Sequence, residues 1–305
     1  MKTLAIFCAD LHLSLKPPSA RSAELDWLAS QKRHLDQLGD LNKGEIPIVI
    51  AGDLLDRWNN SSEFVNFVID YLPNCLSLVG QHDLPNHRYD DLDRSSYGTL
   101  IRSGKIQNLS PNGIVSMGGF VLYSFPWGSD IKPIESKEDG KQHIAVIHKF
   151  IYKGKSTSYP GAPKDEQIRA YADCLKGYDA ATFGDNHIPF TGKAGDCRVL
   201  NCGSLIPRNI KEREHKPRVL MLMEDGSWES QDLDTSADKW IDATEAERLE
   251  HQELDMSKLL SELDRLGTEE MDYRVAVERY IGDKVNKVCK SIAKRVLEVL
   301  DDAID

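Results

Sequence analysis

Ile46-Pro47-Ile48-Val49-Ile50-Ala51-Gly52-Asp53-Leu54-Leu55-Asp56 carries a short apolar run, rich in β-branched residues, straight into a glycine and a carboxylate. A run of that length without polar alternation is the pattern of a strand buried on both faces. The same grammar recurs outward along the chain. Leu4–Cys8 runs into Asp10-Leu11-His12, and Cys75–Val79 runs into Gly80-Gln81-His82-Asp83. Ile144–Ile147 ends on His148, and Ala180–Phe183 ends on Gly184-Asp185-Asn186-His187. Val219–Met223 is a sixth apolar run, and Ile114–Phe125, interrupted by Gly118-Gly119, has the form of a hairpin. Polar-periodic stretches over residues 23–38 and 63–72 predict amphipathic helices between the strands. Together these elements predict a layered α/β domain.

Composition narrows the function classes. Lys+Arg 38 against Asp+Glu 49 leaves a formal net charge of −11 over 305 residues, so the whole-molecule field does not draw this chain to nucleic acid or anionic lipid. A local basic patch is still compatible with that total. No apolar run approaches the roughly 18 residues of a membrane span, and the opening Met1–Asp10 meets a charge too early for a secretory signal, so the expected location is the cytoplasm, with no membrane partner. The six cysteines form no C-x-x-C pair, and Cys8 and Cys75 sit within apolar runs where a reduced thiol packs as a small hydrophobe.

Five strands that each deliver a metal-ligand residue type at the carboxyl end predict convergence, because ligands bind in α/β folds beyond the strand ends. Carboxylates offset the charge of divalent cations, neutral imidazoles complete the coordination, and a carboxylate lying between two ions can bridge them, a role suited to Asp53.

At these residues the chain resembles the calcineurin-like metallophosphoesterase superfamily, whose pattern is D-x-H, G-D-x-x-D, G-N-H-D/E, a lone H and G-H-x-H. The blocks here are Asp10/His12, Gly52-Asp53-Leu54-Leu55-Asp56, Gly80-Gln81-His82-Asp83, His148 and Gly184-Asp185-Asn186-His187, in order over roughly residues 1–205. The resemblance implies two central β-sheets flanked by helices, and two divalent metal ions. By its assignment, Asp10, His12, Asp53 and His187 hold the first ion, and Asp53, Gln81, His148 and Asp185 hold the second. Gln81 stands where the pattern has Asn, and Asp185 where it has His. Gln81 keeps an amide oxygen, and Asp185 exchanges a neutral borderline nitrogen ligand for a charged hard oxygen one, so the second ion has oxygen donors at both places, which favours manganese, or magnesium, over zinc. The resemblance also makes His82 the general acid that protonates the leaving group as metal-activated water attacks phosphorus, with Asp83 or Asp10 orienting the ring.

Asn201-Cys202-Gly203-Ser204, followed by Arg208, is similar to a region of the DNA-repair branch of that superfamily, the SbcD-type nuclease subunits, and the Gln81 and Asp185 blocks are similar to phage-encoded members. That similarity implies a DNA exonuclease and endonuclease that works in recombination and repair beside an SbcC-type coiled-coil ATPase, with a homodimer as the family's habit. Arg208, Lys211, Arg213, Lys216 and Arg218 form a basic island after the last block, and Lys149, Lys153 and Lys155 a second one after His148. From these, Arg208, Lys211 and Lys149 are the expected substrate contacts. The alternatives are a stand-alone metallophosphoesterase on small-molecule or protein phosphate, and a scaffold that has lost its second metal.

The expected organisation is a catalytic domain over residues 1–234, an acidic linker over 235–254, and a reduced capping or partner-docking element of helix, strand and helix over 255–305. His34, His215 and His251 read as solvated. Trp127 reads as a core or turn aromatic.

Overall fold

The computed structural model describes residues 1–245, within which a compact unit closes at Asp242. The element expected over 255–305, and most of the expected linker, lie outside the described residues. In chain order the strands are β1 (Thr3–Cys8), β2 (Ile48–Ile50), β3 (Cys75–Ser77), β4 (Ile106–Asn108), β5 (Ile114–Met117) and β6 (Phe120–Phe125). They continue with β7 (Gln142–His148), β8 (Ala180–Gly184), β9 (Phe190–Ala194), β10 (Cys197–Asn201), β11 (Arg218–Met223) and β12 (Trp228–Asp232). Helices α1 (Trp27–Asn42), α2 (Ser62–Tyr71) and α3 (Ser96–Arg102) connect β1 through β4, and the short α4 (Ile210–Arg213) precedes β11.

The strands form two six-stranded sheets, ordered β12-β11-β1-β2-β3-β4 and β5-β6-β7-β8-β10-β9. Both are mixed: β1 through β4 run parallel, as do β6, β7, β8 and β10, while β5, β9, β11 and β12 pair antiparallel at the flanks. This is the layered α/β architecture that the apolar runs predict. The parallel strands are apolar throughout because each serves two cores. On β7, Ile144 and Val146 join the cluster built with β1, β2 and the helices, whereas Ala145 and Ile147 join a second cluster with Ile151, Ile168, Tyr171 and Leu175. Period-two alternation is present, but both faces are apolar and the sequence hides it. Each fully buried aliphatic side chain contributes roughly 1.5–3 kcal/mol.

Three sequence expectations shift. Helix α1 begins at Trp27 rather than Ala23, because the Asp26 carboxylate caps it by accepting from the Ala29 N–H at 2.9 Å. Strands β4, β9, β10 and β12 add to those that the apolar runs predict; on β9 and β12 exposed polar residues break the apolar run. His34 is buried rather than solvated, since its spacing from Trp27, Gln31 and Leu38 places it on the inner stripe of α1. Its Nδ1 lies 3.1 Å from the Ser30 carbonyl and its Nε2 lies 3.4 Å from Asp238. Cys8 and Cys75 are buried, and Trp127 packs against the main core.

Residues 234–241 lie against α1, held by Gln37 at Asp234, by Arg33 at Asp238 and by a buried cation. Arg21 is fully buried and pairs with Glu24 at 2.7 Å and Asp238 at 3.1 Å. Its guanidinium also donates to the Pro207 carbonyl at 2.8 Å and the Lys239 carbonyl at 3.1 Å, between the rings of Trp27 and Trp240. Among the described residues no helix is long and apolar enough to cross a membrane.

Candidate metal centre

The ends of β1, β2 and β3 in one sheet and of β7 and β8 in the other meet where the two sheets face each other. At four positions beyond these ends the chain turns through a left-handed backbone at a residue with a side chain: Asp10 (φ 52°), His12 (φ 43°), Asp53 (φ 47°) and Asp185 (φ 86°). Such conformations cost energy and cluster where the surrounding structure fixes a functional side chain. Glycine provides the room. A Cβ on Gly52 would lie 2.1 Å from His148 Nδ1, and one on Gly80 would lie 2.0 Å from Asp53 Oδ1, so neither position admits a side chain.

Asp53 occupies the middle. Its Oδ1 accepts the His82 backbone N–H at 3.0 Å. Its Oδ2 is buried with no hydrogen-bond partner, yet faces the Nε2 atoms of His148 at 3.4 Å, His12 at 3.5 Å and His82 at 4.0 Å. The Nε2 atoms of His12 and His187 lie 3.1 Å apart. An orphaned carboxylate oxygen ringed by imidazole nitrogens fits a site for divalent cations, because an ion shared among these lone pairs satisfies all of them at once. Among the described residues, Asp10, His12 and His187 form one group of candidate ligand atoms within 4.8 Å of one another, Asp10, Asp53 and His148 form another, and His12, Asp56 and His82 form a third at the exposed edge. Gln81 Oε1 lies 2.8 Å from His148 Nε2, and its amide donates to Asp185 Oδ1 at 2.8 Å. The two residues that depart from the superfamily pattern thus touch each other beside the second group, with both oxygen donors present. The donors gathered here fit a pair of divalent ions.

Neighbouring groups fix each imidazole. His148 Nδ1 is held by the Ala51 carbonyl at 2.7 Å, leaving Nε2 for the centre. His187 Nδ1 is held by Glu212 Oε1 at 2.7 Å, and the other Glu212 oxygen accepts from Ser204 Oγ and the Arg208 N–H. Sequence reasoning misses Glu212, because it stands in the basic island and reads as solvated. A usable signal exists: Asn209 followed three residues later by Glu212 is a helix-start pattern, and the Asn209 side chain caps α4. Asn201 supports the same loop by donating to the carbonyls of Asn186 and Ile188.

His82 differs from the other histidines of the site in exposure. Its side chain is 43 % exposed, and its ring meets His12 edge-on with centroids 4.8 Å apart. The ring is oriented by neither Asp83 nor Asp10. Its Nδ1 is bound by the Asp56 carbonyl at 3.0 Å, whereas the fully buried Asp83 accepts backbone N–H groups from Gly80, Leu54 and Leu55. Adjacent residues of a tight turn face opposite ways, so His82 points out and Asp83 points in. Both Asp10 oxygens accept the Asp185 N–H. Arg208, expected as a substrate contact, has its guanidinium donating to the His12 carbonyl and the Asp56 carboxylate, each at 2.8 Å. Lys211 is exposed on α4, and the Lys149 ammonium sits 5.9 Å above the Tyr171 ring.

Electrostatics follow this packing. Burial works against charge on Asp53, but the imidazoles of His148, His12 and His82 hold its carboxyl well below the usual range. Burial likewise opposes charge on His148 and His187; the Asp53 carboxylate outweighs it at His148, and Glu212 at His187, lifting them to about 10 and about 9. Burial pushes His12 well down, Asp10 up to about 7, and Asp83 up to about 8.

Two predictions arise here. Both raised histidine pKa values exceed the unfolded value near 6.5, so in chelator the native state holds extra protons whose stabilisation is complete below about pH 6.5 and lost as pH rises through 9 to 10. The melting temperature in EDTA should therefore fall between pH 7 and 9.5 and fall less in excess Mn²⁺, which takes the place of those protons; a flat EDTA profile would contradict the assignment. Glu212→Ala should weaken Mn²⁺ binding by about 10–100-fold in calorimetric titration, because His187 loses the partner that orients it, and Glu212→Gln should weaken it less.

Comparison with solved structures finds low-identity likenesses. One is the Thermus thermophilus sulfate thiohydrolase SoxB in complex with glycerol, at 11% identity and TM-score 0.43, covering 85% of this chain and 61% of that one. A further Thermus thermophilus protein is 12% identical with TM-score 0.43, covering 75% and 99%. An archaeal phosphodiesterase is 12% identical with TM-score 0.38, also covering 75% and 99%. No curated protein matches the chain. The profile of the calcineurin-like phosphoesterases matches residues 4–189, a span holding every candidate metal ligand described above, and the chain belongs to that family.

Proposed function

We propose that this phosphoesterase acts on DNA as a metal-dependent nuclease of the SbcD type, beside a coiled-coil ATPase of the SbcC type. The observation that carries the catalytic part is the exposed His82 ring at the edge of a buried cluster of candidate ligands, with Nε2 4.0 Å from Asp53 Oδ2. Bound divalent ions supply Lewis acidity toward phosphate oxygens and lower the pKa of water toward neutrality. The oxygen donors of Gln81 and Asp185 suit Mn²⁺ or Mg²⁺. The chain's own contribution is a positioned proton donor. The Asp56 carbonyl takes the Nδ1–H of His82, which leaves Nε2 to carry the proton for the departing alkoxide. Arg208 holds Asp56 and the His12 backbone in place.

The DNA part is supported by the similarity of Asn201–Ser204 and Arg208 to the repair branch. Asn201, Ser204 and Arg208 all brace the metal centre, which explains their presence chemically without naming a substrate. The test is incubation of the purified chain with labelled linear DNA and Mn²⁺, in parallel with bis(4-nitrophenyl) phosphate. Divalent-dependent cleavage of both is expected. Turnover of the small ester with intact DNA under every divalent ion would overturn the nuclease reading in favour of a small-molecule or protein phosphoesterase.

A further inference from the structure

Between the ligand His148 and β8 the chain makes an excursion over residues 149–179 that forms a cavity of about 600 Å³ on the protein surface. Its lining includes Tyr152, Lys155, Tyr159, Lys164 and Arg169, and no carboxylate. In a chain of net charge −11, three exposed cations around one cavity, none in an ion pair among the described residues, repel one another and leave a field that an anion would relieve. Of the two acids on the same turn, Glu166 is engaged by the Tyr159 hydroxyl at 3.2 Å and Asp165 is exposed outside the cavity lining.

The cavity is built rather than incidental. Tyr152 bridges to Gln167, joining the arm that carries Lys155 to the arm that carries Lys164 and Arg169. Thr157 Oγ1 accepts the N–H groups of Lys153 and Gly154 and tightens the first arm. Tyr159 is 48 % exposed and backed by the Phe150 ring, with centroids 5.2 Å apart, so it offers a flat aromatic surface beside the cations. Gly154 and Gly161 leave open space where side chains would stand. The excursion is tied to the metal centre by Asn186, which lies between Asp185 and His187. Its buried amide donates to the carbonyls of Ile151 at 2.7 Å and Thr157 at 2.8 Å.

We infer that this groove holds a single-stranded stretch of nucleic acid flanking the scissile phosphate, with Lys155, Lys164 and Arg169 on phosphates and Tyr159 stacked on a base. Cations that follow a backbone together with an aromatic platform are the combination that binds single strands without sequence preference. The inference rests on the nuclease reading and adds the route of the strand to it.

The test measures binding of fluorescein-labelled, phosphorothioate-linked oligothymidylates of two and twelve nucleotides in Mn²⁺ buffer over a range of salt. The wild-type chain should bind the twelve-nucleotide strand at least about tenfold more tightly than the dinucleotide, and Tyr159→Ala should lose about tenfold for the longer strand. Lys155→Ala/Lys164→Ala/Arg169→Ala should lose the length-dependent gain, and its salt slope should fall by about 2, the counterion release of three single-strand phosphate contacts. Lys155→Arg/Lys164→Arg should retain both. If the triple variant keeps the gain and the slope, the groove assignment is overturned while the nuclease reading stands. If the wild-type chain binds neither oligonucleotide, or both equally, the groove assignment is overturned, and the nuclease reading falls with it only where labelled linear DNA also stays intact while bis(4-nitrophenyl) phosphate is hydrolysed.

Discussion

Replacing His82 by Ala is expected to lower kcat for DNA cleavage by about 10²–10⁴, the usual range for loss of a general acid, while Mn²⁺ affinity changes little. His82 is the exposed ring of the cluster, and its backbone N–H, which the substitution keeps, is what it gives to Asp53 Oδ1. The side chain's own anchor is the Asp56 carbonyl. Its ring shares a third group of candidate ligand atoms with His12 and Asp56, apart from the two that hold Asp10, so the Mn²⁺ titration is the measurement that separates a proton donor from a ligand. Comparing leaving groups separates acid catalysis from mere support. A nitrophenolate departs without a proton, so the loss should shrink markedly for nitrophenyl esters relative to DNA, whose leaving alkoxide needs one. Equal losses on both substrates, or a parallel fall in Mn²⁺ affinity measured by titration, would assign His82 a structural role instead.

Arg21→Met should be the most damaging substitution for stability away from the metal centre, at about 3–5 kcal/mol in denaturant unfolding of the full chain. Arg21 has no exposed surface, and removing its charge leaves the buried Glu24 and Asp238 carboxylates with only the half-exposed Arg33, at 3.3 and 3.4 Å, as a cationic partner, and takes away the donor of the Pro207 and Lys239 carbonyls. Burial opposes charge on both carboxylates, yet the Lys239 backbone N–H on Glu24, the His34 imidazole beside Asp238 and the Arg21 charge hold them below their ordinary values. Wild-type stability from this cluster is thus present at neutral pH and lost as pH falls through the carboxylate range, and the variant should show a weaker dependence there. A loss below about 1 kcal/mol would mean that the cluster rearranges around the substitution.

Much of the catalytic fold was legible because parallel strands buried on both faces leave long apolar runs, and the residue types that end those runs cannot serve a hydrophobic core. Asp53 after Ile48–Ile50 and His148 at the end of β7 stand out for that reason. The division of those strands between two sheets was not legible, since Ile144 and Ala145 look alike in sequence although they face different cores. Direction within turns was also hidden. His82 and Asp83 are adjacent, but one faces solvent and the other is enclosed by backbone amides. Charge hid two structural roles. Glu212 sits among lysines and arginines yet orients His187, and Arg208, read from composition as a phosphate contact, also braces His12 and Asp56. In each case long-range packing, which composition does not encode, decided the role.

The left-handed turns at Asp10, Asp53 and Asp185 determine which replacements are informative. Each position asks for a short polar side chain that tolerates positive φ and also for a negative charge, and among the amino acids aspartate alone meets both demands comfortably. Glutamate would keep the charge and strain the main chain, whereas asparagine keeps the main chain and removes the charge. Asp→Asn exchanges at these three sites therefore probe electrostatics with the scaffold intact, and the corresponding Asp→Glu exchanges report on geometry, so the two series together give independent dials on one catalytic centre.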